Sequence, residues 1–143
     1  MSFDVGGTAP TVSITSPTAT LHNGDPITPA FTTSEPATIT CTLDGSPVDC
    51  GDPIDATDGS HIFVVMATDA AGNVGSGSVT FFVDGTAPTV SITAPTATLY
   101  DGDAITPAFT VTDANPGSSA CELDSVSVSC AAAIDATDGS HTF

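Results

Sequence analysis

The seven residues Asp-Ala-Thr-Asp-Gly-Ser-His occur twice, at 55–61 and again at 135–141. A chain that repeats itself letter for letter must build the same local structure twice. The opening Gly-Thr-Ala-Pro-Thr-Val-Ser-Ile-Thr is duplicated as well, starting at Gly7 and at Gly85. The copies are 78 residues apart at their fronts and 80 apart from the cysteines onward. The two added residues fall after 34–36 in the first copy and inside 112–117 in the second, and length variation of that kind marks a surface loop. A period of this size gives each unit the dimensions of a small β-domain, and 143 residues hold at most two.

Residues 2–8 align with 80–86, so residues 1–6 are expected to be the tail of a preceding unit's last strand. Residues 7–84 then form a first unit and 85–143 a second, truncated one. Its last residue, Phe143, stands opposite Phe63, short of the equivalents of the final strands. Within a unit, short runs rich in Val, Ile, Thr and Phe alternate with Gly, Pro, Asn and Asp. Extended segments are predicted at 11–15, 26–33 and 38–44, with a return through 48–50 and a short edge piece within 51–57. The apolar run inside 58–69 and, after the turn at 70–75, residues 76–83 complete the unit. Roughly seven short strands at close intervals, with no helix signals, read as all-β, in the pattern of a Greek-key sandwich.

Charge narrows the partners. The chain has 17 acidic residues, no Lys or Arg and a formal charge of -17. Nucleic acid is excluded, because its binding is driven mainly by Lys and Arg displacing counterions. Hard divalent cations such as Ca²⁺ are attracted, since they bind carboxylate and carbonyl oxygens; the plainer alternative is that the charge keeps an exposed surface in solution. With 40% apolar residues the chain is expected to fold. Its longest uninterrupted apolar stretch, 62–67, is far short of a membrane span, so no transmembrane segment is expected. No basic segment followed by an apolar one succeeds Met1, so no signal peptide is visible.

The residues TAPTVSIT, CTLDG, DGSHIFVVMATDAAGNVG and FFVD resemble the bacterial immunoglobulin-like (Big-type) repeats found in tandem in large secreted and surface-anchored proteins. The resemblance covers almost the whole chain, and its most specific part is DGSH…F…ATDAAGN. It implies tandem immunoglobulin-like Greek-key β-sandwiches, an extracellular or cell-surface address, a stalk or adhesin role and, in some members, Ca²⁺ between consecutive domains. The two junctions differ, with Asp84 before one linker glycine and Gly6 before the other.

Cys41 and Cys50 flank a turn at 45–47, and Cys121 and Cys130 repeat that spacing around Ser125. Four cysteines allow three pairings, and the repeat favours a bridge within each hairpin. A zinc site would need four ligands, and neither pair has a second pair nearby. Disulfides imply an oxidising compartment.

In a seven-stranded sandwich the turns after the first and fifth strands and the chain exit lie at one end. That places Asp25, Asp58 and Asp84 toward a loop of the second unit carrying Asp113, a candidate interdomain calcium set. The competing expectation is that aspartates in Asp-Gly turns bond their own backbone. His61 and His141 recur after Asp-Gly-Ser and are expected to make a corner hydrogen bond, whereas His22 stands opposite Tyr100. No G-x-S-x-G elbow or other catalytic arrangement is present, and no enzyme is expected.

The expected function is an extracellular structural or adhesive segment, a rigid spacer or fibre subunit. Its partners would be neighbouring repeats or identical subunits, with the second unit completed by strand addition. The alternative is a carbohydrate- or ligand-binding accessory module of a secreted enzyme. Against it stands the lack of aromatic platforms, with no Trp and the single Tyr100.

Overall fold

Alternation at period two turns the β-branched and aromatic runs into strands with one face inward. The computed structural model describes residues 7–96, 102–137 and 139–143. The expected opening segment 1–6, Tyr100 and Asp138 lie outside them. The chain divides into two units, Met1–Thr86 and Ala87–Phe143. All described regular structure is β, and among the described residues no helix is long and apolar enough to cross a membrane.

The first unit contains β1 (Val12–Ser16), β2 (Leu21–His22), β3 (Ala30–Thr33), β4 (Thr38–Leu43), β5 (Ser46–Val48), β6 (Gly59–Thr68) and β7 (Val74–Val83). One sheet has the order β2-β7-β6-β4-β5, antiparallel throughout except for the short parallel pairing of β2 with β7. The other is the antiparallel pair β1-β3. Residues 51–57 supply only a single bridge, Ile54 to Ile27, where a short strand was expected. Pro53 beside Ile54 has no N–H to donate and cuts the ladder short.

The core lies between the two sheets. From β6 and β7 come Phe63, Val65 and Phe81, all fully buried, with Val83 beside them; Cys41 joins from β4 and Ile54 from the bridge. Val12, Ile14 and Phe31 pack against this cluster from β1 and β3. Burying each such side chain contributes about 1.5–3 kcal/mol.

Side-chain size tapers along both central strands. The inward positions of β6 run Phe63, Val65, Ala67, and their partners across β7 run Val79, Gly77, Gly75. At the thin end the chain ahead of β1 comes down onto the glycines. A Cβ at Gly77 would sit 3.1 Å from the Val12 side chain, and one at Gly75 would overlap the Pro10 carbonyl. These glycines let two backbones meet where a larger residue would hold the sheets apart.

The second unit repeats the plan with β8 (Thr89–Ala94) paired to β9 (Ala108–Thr112), β10 (Cys121–Leu123) paired to β11 (Val126–Val128), and the bridge Ile105 to Ile134. Even the register shift recurs, between Ile14 and Ser16 in one copy and between Ile92 and Ala94 in the other.

Replacing Gly75 by Ala should destabilise the first unit by roughly 3 kcal/mol, an overpacking cost. Ser76→Ala, one position along on the outward face, should stay within about 0.5 kcal/mol. Denaturant unfolding followed by circular dichroism reads both, and an unchanged midpoint for Gly75→Ala would refute the close approach.

Candidate functional site

Among the described residues the one buried polar residue is His61, on the inward face of β6. Its surroundings are built from the β4–β5 turn. Asp44 and Gly45 both have positive φ, 51° and 81°, the requirement of a two-residue turn whose twist suits a hairpin. This turn aims the Asp44 carboxylate at the start of β6. One oxygen accepts the Ile62 N–H at 2.8 Å, and the other accepts from His61 Nδ1 at 2.8 Å. The Asp44 N–H donates to the Ile62 carbonyl at 2.9 Å, so the residue extends the β4–β6 ladder one step.

His61 Nε2 lies 2.7 Å from the Thr57 carbonyl. A carbonyl and a carboxylate accept, so the protonated ring, with hydrogen on both nitrogens, is the form that satisfies both partners. In a chain with no Lys or Arg the protonated ring forms an ion pair with the half-exposed Asp44 carboxylate. The Asp44 hydrogen bond, followed by that of Thr57, raises the His61 pKa above its ordinary 6.5. The His61 and Ile62 hydrogen bonds lower that of Asp44 below 3.8. The ring also lies against Phe81, centroids 5.6 Å apart, while His22 meets the same phenyl ring edge-on at 5.7 Å.

The second unit builds the same corner. His141 Nδ1 lies 2.6 Å from Asp124 and Nε2 lies 2.6 Å from the Thr137 carbonyl, while the Thr142 N–H donates to Asp124 at 2.9 Å. His141 is likewise shifted up and Asp124 down, each chiefly by the bond to the other. One difference has a cost. Ser125 replaces Gly45 at φ 68°, and a left-handed non-glycine residue costs about 1 kcal/mol.

Each corner is closed beneath by a disulfide. Cys41 pairs with Cys50 and Cys121 with Cys130, both with Cα atoms 5.3 Å apart, the pairing expected within each hairpin. Closing so short a loop contributes about 2–3 kcal/mol through the unfolded chain. Two such bridges mark folding in an oxidising, non-cytoplasmic compartment.

The candidate calcium aspartates each accept a hydrogen bond, Asp25, Asp84 and Asp113 from a residue two positions away and Asp58 from residues beyond β7. Asp58 accepts the Gly85 N–H at 2.7 Å and the Thr86 hydroxyl, which together lower its pKa. This clamp carries the first unit two residues beyond Asp84. Asp25 accepts from the Asn23 amide at 2.8 Å, and Asp84 accepts the Thr86 N–H at 3.3 Å. Asp113, in the second unit, accepts the Asn115 N–H at 2.7 Å. Among the described residues no group of three His, Cys, Asp or Glu side chains is placed to hold a metal ion. Asp69 does the same for the β6–β7 turn, accepting Ala71 N–H, Asn73 N–H and the Asn73 amide at 2.7–2.8 Å. The ATDAAGN motif is therefore a turn clamp.

What the sequence did not assign was Asp44 as the partner of His61. A signal was present: Asp precedes His by 17 residues in both copies. No protein-family model matches this chain, and a search of curated proteins found none similar to it.

The pH dependence follows from the two shifts. The raised His61 pKa gives stability that is fully present below 6.5 and lost as pH climbs through the folded value. The lowered Asp44 pKa gives stability that is present above 3.8 and lost as pH falls through its folded value. The first unit should therefore be most stable between these limits, and its melting temperature should fall on the alkaline side. His61→Gln should flatten that alkaline fall. Calorimetric melts across this range check it, and a wild-type melting temperature that rises above pH 6.5 would contradict it.

Proposed function

We propose that the chain is a segment of tandem immunoglobulin-like β-sandwiches that serves, outside the cell, as a rigid spacer or fibre subunit. The observation that carries the proposal is the Asp58 clamp. It ties the exit strand's last residues, Gly85 and Thr86, back to the start of β6. Gly24, with φ +85°, packs its bare Cα against Gly85, and the Asp84 N–H donates to the His22 carbonyl at 2.9 Å. Chain leaving the first unit is held to its last residue, as a spacer needs. Stiffness, not chemistry, is what these polar groups provide.

The immunoglobulin-like part is supported by the neighbours β7, β6 and β4, which follow the order of the last, penultimate and third strands in that plan. Strand addition is supported by a groove of about 320 Å³ in the second unit, lined by Val90, Ile92, Phe109, Val111, Cys121 and Phe143. The equivalent residues of the first unit, Val12, Ile14 and Phe31, pack against Phe63, Val65 and Phe81. A strand of the β6 type would complete the groove in the same way. Calcium stays in the proposal on the carboxylate surplus alone, with no Lys or Arg to neutralise it.

Small-angle scattering of the whole chain, in Ca²⁺ and in chelator, tests both parts. A spacer gives one narrow set of inter-unit distances, and Asp58→Ala broadens it. Scattering of the unaltered chain that fits two freely jointed units would remove the spacer. A change on chelation supports a bound calcium, and identical curves remove it.

A further inference from the structure

The duplication gives the front of the chain an equivalent in the last strand of the first unit. Residues 2–5 correspond to 80–83, with Phe3 and Val5 at the places of Phe81 and Val83 and Asp4 at that of the outward Phe82. Residues 139–142 correspond likewise to 59–62. In the first unit these two stretches are direct partners: Gly59 stands opposite Val83, Ser60 opposite Phe82, His61 opposite Phe81 and Ile62 opposite Thr80. The front of the chain therefore carries the four β7-type residues that match, in register, the four β6-type residues at 139–142.

Main-chain directions show an edge that fits them. Ile62 turns its N–H and C=O toward Asp44, and Phe82 turns its N–H to the Thr20 carbonyl, so His61 and Phe81, whose groups point the other way, bond each other. In the second unit the Thr142 N–H and C=O are taken by Asp124 in the same manner. The His141 N–H and C=O then face the β7 side, and no described residue bonds them. Side chains report the same opening. The His141 side chain is 24% exposed where that of His61 is 11%, and Ile134 and Phe143 are half-buried where Ile54 and Phe63 are buried. A Cβ at Gly24 would lie 2.8 Å from the Gly85 Cα, whereas one at the equivalent Gly102 would meet no described atom within 4 Å.

We propose that residues 2–5 of one copy of the chain add to 139–142 of another as its β7 strand, joining copies head to tail. This rests on the strand addition in the proposed function and names the donor and the edge it takes. Register and side-chain pattern select the occupant. The pattern Phe-x-Val-x-Gly-Thr-Ala-Pro occurs at 3–10 and at 81–88, and the second of these is already the end of β7 and its exit. Phe3 takes the place that Phe81 holds against the histidine ring, and Val5 that of Val83 in the core. The join is one the chain makes within itself: Val83 leads through Gly85-Thr86-Ala87-Pro88 into β8, and Val5 through Gly7-Thr8-Ala9-Pro10 into β1. The parts of the clamp recur as well, since Asp138 is the equivalent of Asp58, and Gly7 and Thr8 are those of Gly85 and Thr86. A head-to-tail contact of this kind builds rings or filaments. Four residues of ladder make a weak joint and the charge of -17 on each copy opposes it, so it forms at high concentration and high salt.

Sedimentation equilibrium of the whole chain in high NaCl, where that repulsion is screened, is the test. The mean mass should rise above 14.1 kDa with concentration. Phe3→Ser combined with Val5→Ser should weaken the association about tenfold or more, and unchanged circular dichroism and melting show that the variant is folded. Asp4→Asn, at the outward position, should not weaken it. Attaching a second copy of residues 64–86 directly after Phe143 supplies β7 within the same chain and should abolish the association. A mean mass of 14.1 kDa at every concentration, association unaffected by the Phe3 and Val5 pair, or association that survives the attached strand would overturn the proposal. None of these outcomes touches the spacer, which stands or falls on the scattering of the single chain, and the second leaves strand addition to a different donor.

Discussion

A histidine ring held between a carboxylate and a carbonyl ties separate segments together in each unit. Without Lys or Arg, the interior has one type of side chain that can answer a carboxylate with charge, and His61 is placed where three segments meet. Through Asp44 it joins the β4–β5 turn to β6, and through Thr57 it fixes the approach to β6. Its other side lies on Phe81, at the thick part of the core. Removing Asp44 would leave the buried His61 Nδ1 unanswered, which is more costly than the net worth of the pair. Among the described residues no buried side-chain nitrogen or oxygen lacks a partner.

The same economy of charge organises the surface. Aspartates of the first unit stand in turns, where their carboxylates accept backbone N–H groups and lock the chain reversals at Asp44, Asp58 and Asp69. The described strands of the first unit hold no carboxylate, and apart from His22 and His61 their side chains are hydroxyl or apolar on both faces. Inward, these taper from Phe81 and Phe63 to Gly75 and close the core onto Pro10; outward, they leave an uncharged face. Turn stability and surface neutrality are two results of one placement of carboxylates.

Much of this was legible in the sequence. The apolar run inside 58–69 and the segment 76–83 locate β6 and β7, because an extended run bounded by turn residues is a local pattern. The hairpin disulfides follow from duplicated cysteines about a turn. Less legible was β2, whose two residues sit between turn signals and whose parallel pairing with Phe82 and Val83 is made across the whole unit. Residues 51–57 read as a short strand or edge segment, and they supply a single bridge, at Ile54 beside Pro53. Asp44 read as the end of the strand 38–44, and its role as the partner of His61 is supplied from 17 positions away. Of the candidate metal ligands, Asp25, Asp84 and Asp113 accept hydrogen bonds from residues two positions away, which a local pattern suggests, whereas Asp58 accepts from Gly85 and Thr86, which it does not.

The central claim is that His61 and His141 are cations at pH values where free histidine is neutral. Nitrogen-15 correlation spectra of the imidazole rings, recorded through a pH titration, measure it directly. Shifts of both ring nitrogens in the protonated range, with midpoints above 6.5 for both residues, are the predicted result. A neutral single tautomer at His61 with a midpoint at or below 6.5 would contradict the account.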